Sequence, residues 1–400
     1  MAARTPDRAD EPLSLFAVSA PGVETITAGE LAALGLAGGV VVPGGVEFPG
    51  DRTALYRANL ELRTAGRVLL RAGRFQARAF TDLRRRAVRV PWERFLAPGE
   101  ALALRVTCRK SRLYHSGAVA ERIAEAIAER LGFAPARVSA AADPDASEPG
   151  PEAAGGPRVQ LVLARLDHDV CTLSIDSSGE PLHRRGWRQE TGRAPLRETL
   201  AAALLLASGW DGTSPLVDPF CGAGTIPIEA ALLARRRAPG RGRAFACQAW
   251  RDFDSAAFAR LCGVADARAA AAPAPPPILG CDRDAGAIAA ARANALRAGV
   301  AGDLTLAQSA LSKLAPQPGP GFVVSDPPHG VRLRSGGDLR NLYARFGAVL
   351  RERCPDWGVA LLSSSARLHG ASGLPLETRG QVRHGGLRLT LLVGRVPAGA

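Results

Sequence analysis

Three short segments carry residues whose types and order could do chemistry on an amine. The first is Val217-Asp218-Pro219-Phe220-Cys221-Gly222-Ala223-Gly224-Thr225, an apolar strand that ends on a carboxylate and turns through two glycines into an apolar helix. Gly222 and Gly224 would let the backbone run close to a bound ligand, where a Cβ would block the approach. In open α/β sheets ligands lie at the carboxyl ends of the strands, near the point where the strand order reverses. The turn has neither the GxGxxG spacing of dinucleotide sites nor the Gly-Lys-Ser/Thr of phosphate loops, which argues against NAD and ATP.

The second segment is Gly280-Cys281-Asp282-Arg283-Asp284, at the end of the next expected strand. A carboxylate there can accept hydrogen bonds from both hydroxyls of a ribose, and Asp282 is the candidate. Asp284 reads instead as the N-cap of the helix that follows, with Gly299 closing its C-terminus. The third segment is Ser325-Asp326-Pro327-Pro328-His329-Gly330. Two consecutive prolines stiffen the backbone and remove two N–H donors. The Asp326 carboxylate and a rigid carbonyl can then both accept from one exocyclic amine. Such an amine is a poor nucleophile because its lone pair is delocalised into the ring. Holding its hydrogens favours localising that lone pair toward an incoming methyl group. His329 offers a flat face on which a base can stack.

These segments need a scaffold that brings three strand ends together. From about residue 190 the pattern alternates helix and strand: helix 195–207, strand 216–218, helix 226–236, strand 278–282, helix 285–298, strand 322–326, helix 339–351, strand 359–363. That alternation predicts a mostly parallel seven-stranded sheet wrapped by helices, with 265–277 as a surface connection. Ahead of it, residues 13–75 read as a small α/β unit: strand 13–20, helix 25–36, a Gly-rich turn and a strand over 38–48, helix 51–60 and strand 67–70. Residues 76–175 read as a second unit. It has a strand over 102–108, a helix over 117–130 with Val119, Ile123 and Ile127 on one face, and a hairpin of 159–166 with 170–175. The aperiodic stretch 134–157 reads as a flexible loop.

Charge points to the partner. The chain has 400 residues and a net charge of +13, nearly all of the positive charge being arginine. Over residues 51–120 sixteen Arg and Lys face five Asp and Glu. A basic block beside a catalytic domain fits a polyanion, with nucleic acid first. Arg109, Lys110 and Arg112, in the segment CRKSRLYHS, are the candidate RNA-contacting residues. The seven cysteines form no CxxC pair, so neither a zinc site nor a disulfide framework is expected, and a cytoplasmic home is. The sequence shows no apolar run long enough to span a bilayer and no secretory signal, so no membrane partner is expected. The protein is expected to be a monomer.

Together the three segments resemble the class I methyltransferases that carry a (Asp/Asn)-Pro-Pro-(Tyr/Phe) loop. The likeness extends to Asp176-Ser177-Ser178-Gly179-Glu180-Pro181-Leu182-His183-Arg184-Arg185-Gly186-Trp187-Arg188 and to the stretch from Ala194 to Ala201. Both resemble the THUMP-domain RNA guanine-N2 methyltransferases, a branch that includes a bacterial enzyme acting on 23S ribosomal RNA. Residues Asn59 to Leu70 resemble the ferredoxin-like region that precedes THUMP in that branch. The resemblance implies a ferredoxin-like domain over 1–75, a THUMP RNA-binding domain over 76–175 and a class I, Rossmann-like α/β methyltransferase domain over 176–400. It implies S-adenosylmethionine as cofactor, no metal, and Asp218, Phe220, Gly222, Gly224, Thr225, Asp282 and Ser309 around it. Asp326, Pro327, Pro328 and His329 would hold the target base.

Two departures stand out. Asp326 and His329 replace the Asn and Tyr usual in that branch, and 307–310 lacks the acidic residue that often contacts adenine, leaving Gln308 or Ser309. The substrate expected first is ribosomal RNA methylated at guanine N2, with transfer RNA as the alternative. A DNA adenine-N6 or protein glutamine methyltransferase could use the same Pro-Pro loop, and a binding protein with a decayed site is a further rival. A uracil-C5 enzyme needs a nucleophilic cysteine, and Cys221 lies in the cofactor turn instead.

Overall fold

The computed structural model describes residues 12–139, 158–189, 196–317, 319–329 and 339–398. Pro195, Gly330 and most of the loop expected over 134–157 fall outside them. In chain order the elements are β1 Leu13–Ser19, α1 Glu24–Ala33, β2 Val40–Val42, β3 Gly45–Gly50, α2 Arg52–Glu61, β4 Ala65–Gln76, α3 Phe80–Ala87, β5 Ala101–Arg109, α4 Ser116–Leu131, β6 Ala136–Val138, β7 Val159–Asp167 and β8 Val170–Asp176. The second half continues with α5 Glu198–Ser208, β9 Leu216–Asp218, α6 Thr225–Ala234, α7 Ser255–Ala270, β10 Ile278–Asp282, α8 Ala285–Arg297, β11 Leu304–Gln308, β12 Phe322–Ser325, α9 Leu339–Arg353, β13 Gly358–Ser363, α10 Ala366–Ala371, β14 Leu376–His384 and β15 Leu387–Arg395.

β1 to β8 form one eight-stranded sheet in the order β2-β3-β1-β4-β8-β7-β5-β6. The two expected N-terminal units therefore share a sheet, and β4 joins them. Its first part pairs with β1 and the rest with β8, with a register shift between Arg71 and Gly73. The strand expected over 67–70 continues to Gln76, past Arg71, Gly73 and Arg74, which break the apolar pattern. The structure satisfies Arg71 in place: its guanidinium lies 4.0 Å over the Phe16 ring and pairs with Glu47 at 3.2 Å. Val119, Ile123 and Ile127 of α4 are fully buried against the sheet, as their spacing predicts. The helix stops at Gly132, whose φ of 76° is the left-handed conformation a C-terminal cap requires.

β9 to β15 form the second sheet, in the order β11-β10-β9-β12-β13-β15-β14. β10, β11, β12 and β13 run parallel with β9, and β15 is inserted antiparallel between β13 and β14. The chain builds outward from β9 through β10 to β11, then returns to place β12 on the other side of β9. The strand order thus reverses between β9 and β12. Residues 265–270 correct the expected surface connection: they finish α7, whose N-terminus Asp254 caps by accepting the Ala257 N–H at 2.8 Å. Only Ala257, Cys262 and Ala265 are buried along this helix, too sparse an apolar stripe to be read in the sequence.

The segment around α7 binds the second half of the chain to the first. The Trp250 indole N–H donates to Gln160 Oε1 at 2.9 Å, and its ring meets Phe95 edge-on at 5.0 Å. Arg52 and Arg94 both reach Asp252, at 2.9 and 2.7 Å.

Candidate functional site

The site grows from the carboxyl ends of β9, β10 and β12. Asp218, the last residue of β9, is 1% exposed. Its Oδ1 accepts the Ser325 hydroxyl of β12 at 2.6 Å and the Phe220 N–H at 3.1 Å. Burial, helped by the nearby charges of Asp326 and Asp282, pushes its carboxyl up to about 7 against the pull of those two donors. The three aspartates thus converge on one sheet edge, as their strand-end positions predict.

Asp282 ends β10 and organises the turn beside it. Its Oδ2 accepts the Gly222 N–H at 3.0 Å and its Oδ1 accepts the Asp284 N–H at 2.9 Å. A carboxylate oxygen has two lone-pair positions, so each keeps one acceptor place free. Asp284 caps α8, accepting from Gly286 and Ala287 at 2.7 and 3.1 Å. Ser309, after β11, donates its N–H to the Asp282 carbonyl at 2.9 Å. Gln308 spends its side-chain amide on the Arg283 carbonyl at 3.2 Å.

The two glycines of the turn do different work. Gly222 has φ +52°, and a Cβ there would meet nothing within 4 Å, so open space lies over its backbone. Gly224 has φ +85°, and its Cβ would strike the Ala291 Cβ of α8 at 2.9 Å. Backbone conformation and helix packing thus each require a glycine at position 224. Thr225 begins α6 and is 5% exposed, and Phe220 packs against Phe346 of α9 with ring centroids 5.8 Å apart.

At the end of β12 the chain enters Asp326-Pro327-Pro328-His329. His329 Nε2 lies 2.8 Å from Asp326 Oδ1, and both side chains are largely buried. The Ser364 hydroxyl reaches the His329 carbonyl at 3.5 Å. The sequence held no sign of this pairing, because only a specific turn brings residues three apart together outside a helix. The arrangement can hold an adenosyl group: room over Gly222, free acceptor places on Asp282, and a second acceptor carboxylate next door for the group to be modified. Among the described residues no cluster of three or more His, Cys, Asp or Glu is placed to hold a metal.

Arg109, Lys110 and Arg112 lie elsewhere, where β5 leaves its sheet, and all three are exposed. Lys110 turns the chain with φ 45°. The Arg112 N–H donates to Asp169 Oδ1 at 2.7 Å, which fixes the segment to the β7–β8 turn. The fold adds residues the sequence reading did not single out. Arg78 approaches the same Asp169 at 3.8 Å, and Tyr114, 70% exposed, lies against His115 with centroids 4.3 Å apart. Tyr114 and His115 were legible as aromatics beside a basic run, whereas only the tertiary fold brings Arg78 there.

A central β9 flanked by β10 and β12, an acidic residue closing β10 and an Asp-Pro-Pro loop closing β12 together define a class I, S-adenosylmethionine-dependent methyltransferase. Comparison with known proteins agrees. Residues 185–387 match the RMKL-like methyltransferase domain, 14–69 the RlmL ferredoxin-like domain and 77–147 the THUMP domain. A Synechocystis protein with a provisional RNA methyltransferase name is 34% identical over 378 residues, covering 94% of this chain and 95% of its own. The large-subunit ribosomal RNA methyltransferase K/L of Syntrophotalea carbinolica is 35% identical over 393 residues, covering 96% of this chain, which spans 53% of that relative. A crystal structure of a provisionally assigned methyltransferase, in complex with S-adenosylhomocysteine, superposes with a TM-score of 0.81. It is 27% identical, covering 98% of this chain and 99% of that one. The chain belongs to the THUMP-containing, RMKL-like family of S-adenosylmethionine-dependent methyltransferases. No helix among the described residues is long and apolar enough to cross a membrane.

Proposed function

We propose that this chain methylates the exocyclic N2 of a guanosine in large-subunit ribosomal RNA, acting in the cytoplasm as a monomer. The observation that carries the reading is the link from Ser325 to Asp218. It ties the residue before the Asp-Pro-Pro loop to the strand that leads into the turn of Gly222 and Asp282, which supports reading Asp326 as the acceptor of an amine beside the cofactor. We assign the ferredoxin-like domain to residues 1–75, THUMP to 76–175 and the catalytic domain to 176–400. Asp218, Phe220, Gly222, Thr225, Asp282 and Ser309 would surround S-adenosylmethionine, with Gly224 supporting the turn from behind. The cofactor supplies an electrophilic methyl group on a sulfonium. Asp326 and the carbonyls of the Pro-Pro loop accept the amine hydrogens and point its lone pair outward. The test is incubation with unmodified ribosomal and transfer RNA and methyl-labelled cofactor, followed by nucleoside analysis. N2-methylguanosine from ribosomal RNA is expected. N2-methylguanosine from transfer RNA alone would move the substrate, and N6-methyladenosine would overturn the guanine assignment.

Asp282→Ala is expected to weaken cofactor binding about tenfold or more, from the loss of charge-assisted hydrogen bonds worth about 1.5–3 kcal/mol. The structure adds a second reason, since the same carboxylate holds the Gly222 and Asp284 amides. An unchanged calorimetric dissociation constant would refute the role.

In the RNA-binding surface, Arg109, Lys110 and Arg112 would meet phosphates, with Arg78 beside them and Tyr114 as a stacking face. The triple alanine variant of the first three should weaken RNA binding whatever the sequence. It should also flatten the plot of log affinity against log salt by about 2–3, because each neutralised phosphate adds about 0.7–0.9 to that slope. Titration at several salt concentrations checks this, and an unchanged slope makes the three residues solvated surface only.

A further inference from the structure

We propose that His329 is a positioning residue that makes Asp326 present a single oxygen to the target amine, so that the pair does the work of one amide. The inference rests on the methyltransferase reading above, and one of its tests needs no substrate.

The argument starts from the two imidazole nitrogens. Nε2 lies 2.8 Å from Asp326 Oδ1. Nδ1 is buried and, among the described residues, has no hydrogen-bond partner. A buried N–H without an acceptor is more costly than a buried lone pair, so the hydrogen belongs on Nε2. The imidazole then donates through Nε2, with Asp326 Oδ1 as its acceptor. That leaves Oδ2 as the carboxylate oxygen open to a ligand.

A bare carboxylate at this position offers two equivalent acceptor oxygens on a group free to turn about its terminal torsion. An amine held by such a group can bind through either oxygen, and only one placement aims its lone pair along the line of methyl transfer. The His329 N–H removes that choice: it occupies Oδ1 and fixes the carboxylate plane. Pro327 and Pro328, between the two residues, hold the turn that lets them meet. The proton balance also closes at Asp326. Bond formation from the amine nitrogen to the methyl carbon, with the S–C electrons leaving on sulfur, makes the nitrogen cationic. Asp326 Oδ2 is the adjacent acceptor for the proton it then loses, which passes to solvent.

Two substitutions separate this role from stacking on the base. His329→Gln keeps an N–H near the place of Nε2 and loses the ring. His329→Phe keeps a flat ring and loses the N–H. In single-turnover methylation of the RNA that the parent modifies, the Gln variant should be at least fivefold faster than the Phe variant, with cofactor affinity equal in both. A ratio below fivefold overturns the inference.

A second comparison stands if either variant folds poorly. With Asp326→Asn, the His329 N–H captures the amide oxygen and turns the NH₂ toward the substrate. D326N/H329F should therefore be faster than D326N alone, although His329→Phe slows the parent. If Phe slows both backgrounds alike, the inference is wrong. The substrate-free readout is the ¹⁵N spectrum of the full-length protein, with the His329 signals assigned by their loss in His329→Gln. Protonation at Nε2 is expected, and protonation at Nδ1 overturns the inference whatever RNA the protein acts on. A parent that methylates no RNA while His329 shows the Nε2 proton would fail the functional reading and leave the Asp326–His329 geometry standing.

Discussion

Asp326→Ala is expected to lower the rate of methyl transfer at least a hundredfold and to leave cofactor affinity nearly unchanged. The split follows from where Asp326 sits. It lies after β12, and the hydrogen bonds that shape the cofactor turn are made by Asp218 and Asp282 instead. Removing Asp326 takes away one preorganised partner of the reacting amine, a loss that in other enzymes costs about 10²–10³ in rate. Its part is more geometric than basic, because an ordinary carboxylate is a weak base toward an exocyclic amine. Asp326→Asn should fall between the Ala variant and the parent, since its amide oxygen accepts from the amine only in the rotamer that His329 does not hold. Single-turnover rates and calorimetric affinities of the two variants decide the matter. An Ala variant as fast as the parent removes Asp326 from the chemistry, and an Ala variant that no longer binds cofactor moves it into the cofactor site.

Glu229→Ala is expected to cost about 3–5 kcal/mol of stability, because it strands buried positive charge where the two halves of the chain meet. Glu229, on α6, has no side-chain exposure. Arg185, 2% exposed, pairs with it at 3.2 Å, and Arg63, from the turn before β4, approaches at 3.9 Å. Arg185 also donates to the carbonyls of Leu182 and Arg63, each at 2.7 Å. Burial pulls the Arg63 guanidinium below its ordinary value and Glu229 opposes that pull, so the carboxylate is what keeps these cations tolerable inside. The urea midpoint of the full-length protein measures the effect. Replacing both partners with apolar side chains, as in R185M/E229L, should cost less than Glu229→Ala alone. If Glu229→Ala shifts the midpoint by no more than a surface substitution does, the pair contributes nothing to the junction.

The catalytic half was legible because its signals are local. A strand that ends on Asp218 and turns through glycine into a helix is written in nine consecutive residues, and Asp282 and Asp326 stand at the ends of strands that apolar runs reveal. The Asp284 cap was legible for the same reason, since its partners are two and three residues away. The first half was legible only in pieces. α3 buries just Leu83 and Ala87 among arginines, so it leaves almost no periodic trace.

By itself the sequence determined the order of strands and helices around the cofactor turn, the three carboxylates at their ends and the basic character of residues 51–120. These depend on neighbours along the chain, through backbone geometry and apolar spacing. Only the tertiary structure decided that β4 carries one sheet across both N-terminal units, that Gly224 packs against Ala291 too closely for a Cβ, that Arg63 and Arg185 share Glu229, and that His329 turns its Nε2 to Asp326. Each of these is settled by which groups are buried together. Burial sets the cost of an unpaired charge, an unmatched N–H or a colliding Cβ, and that cost exists only once distant segments have met.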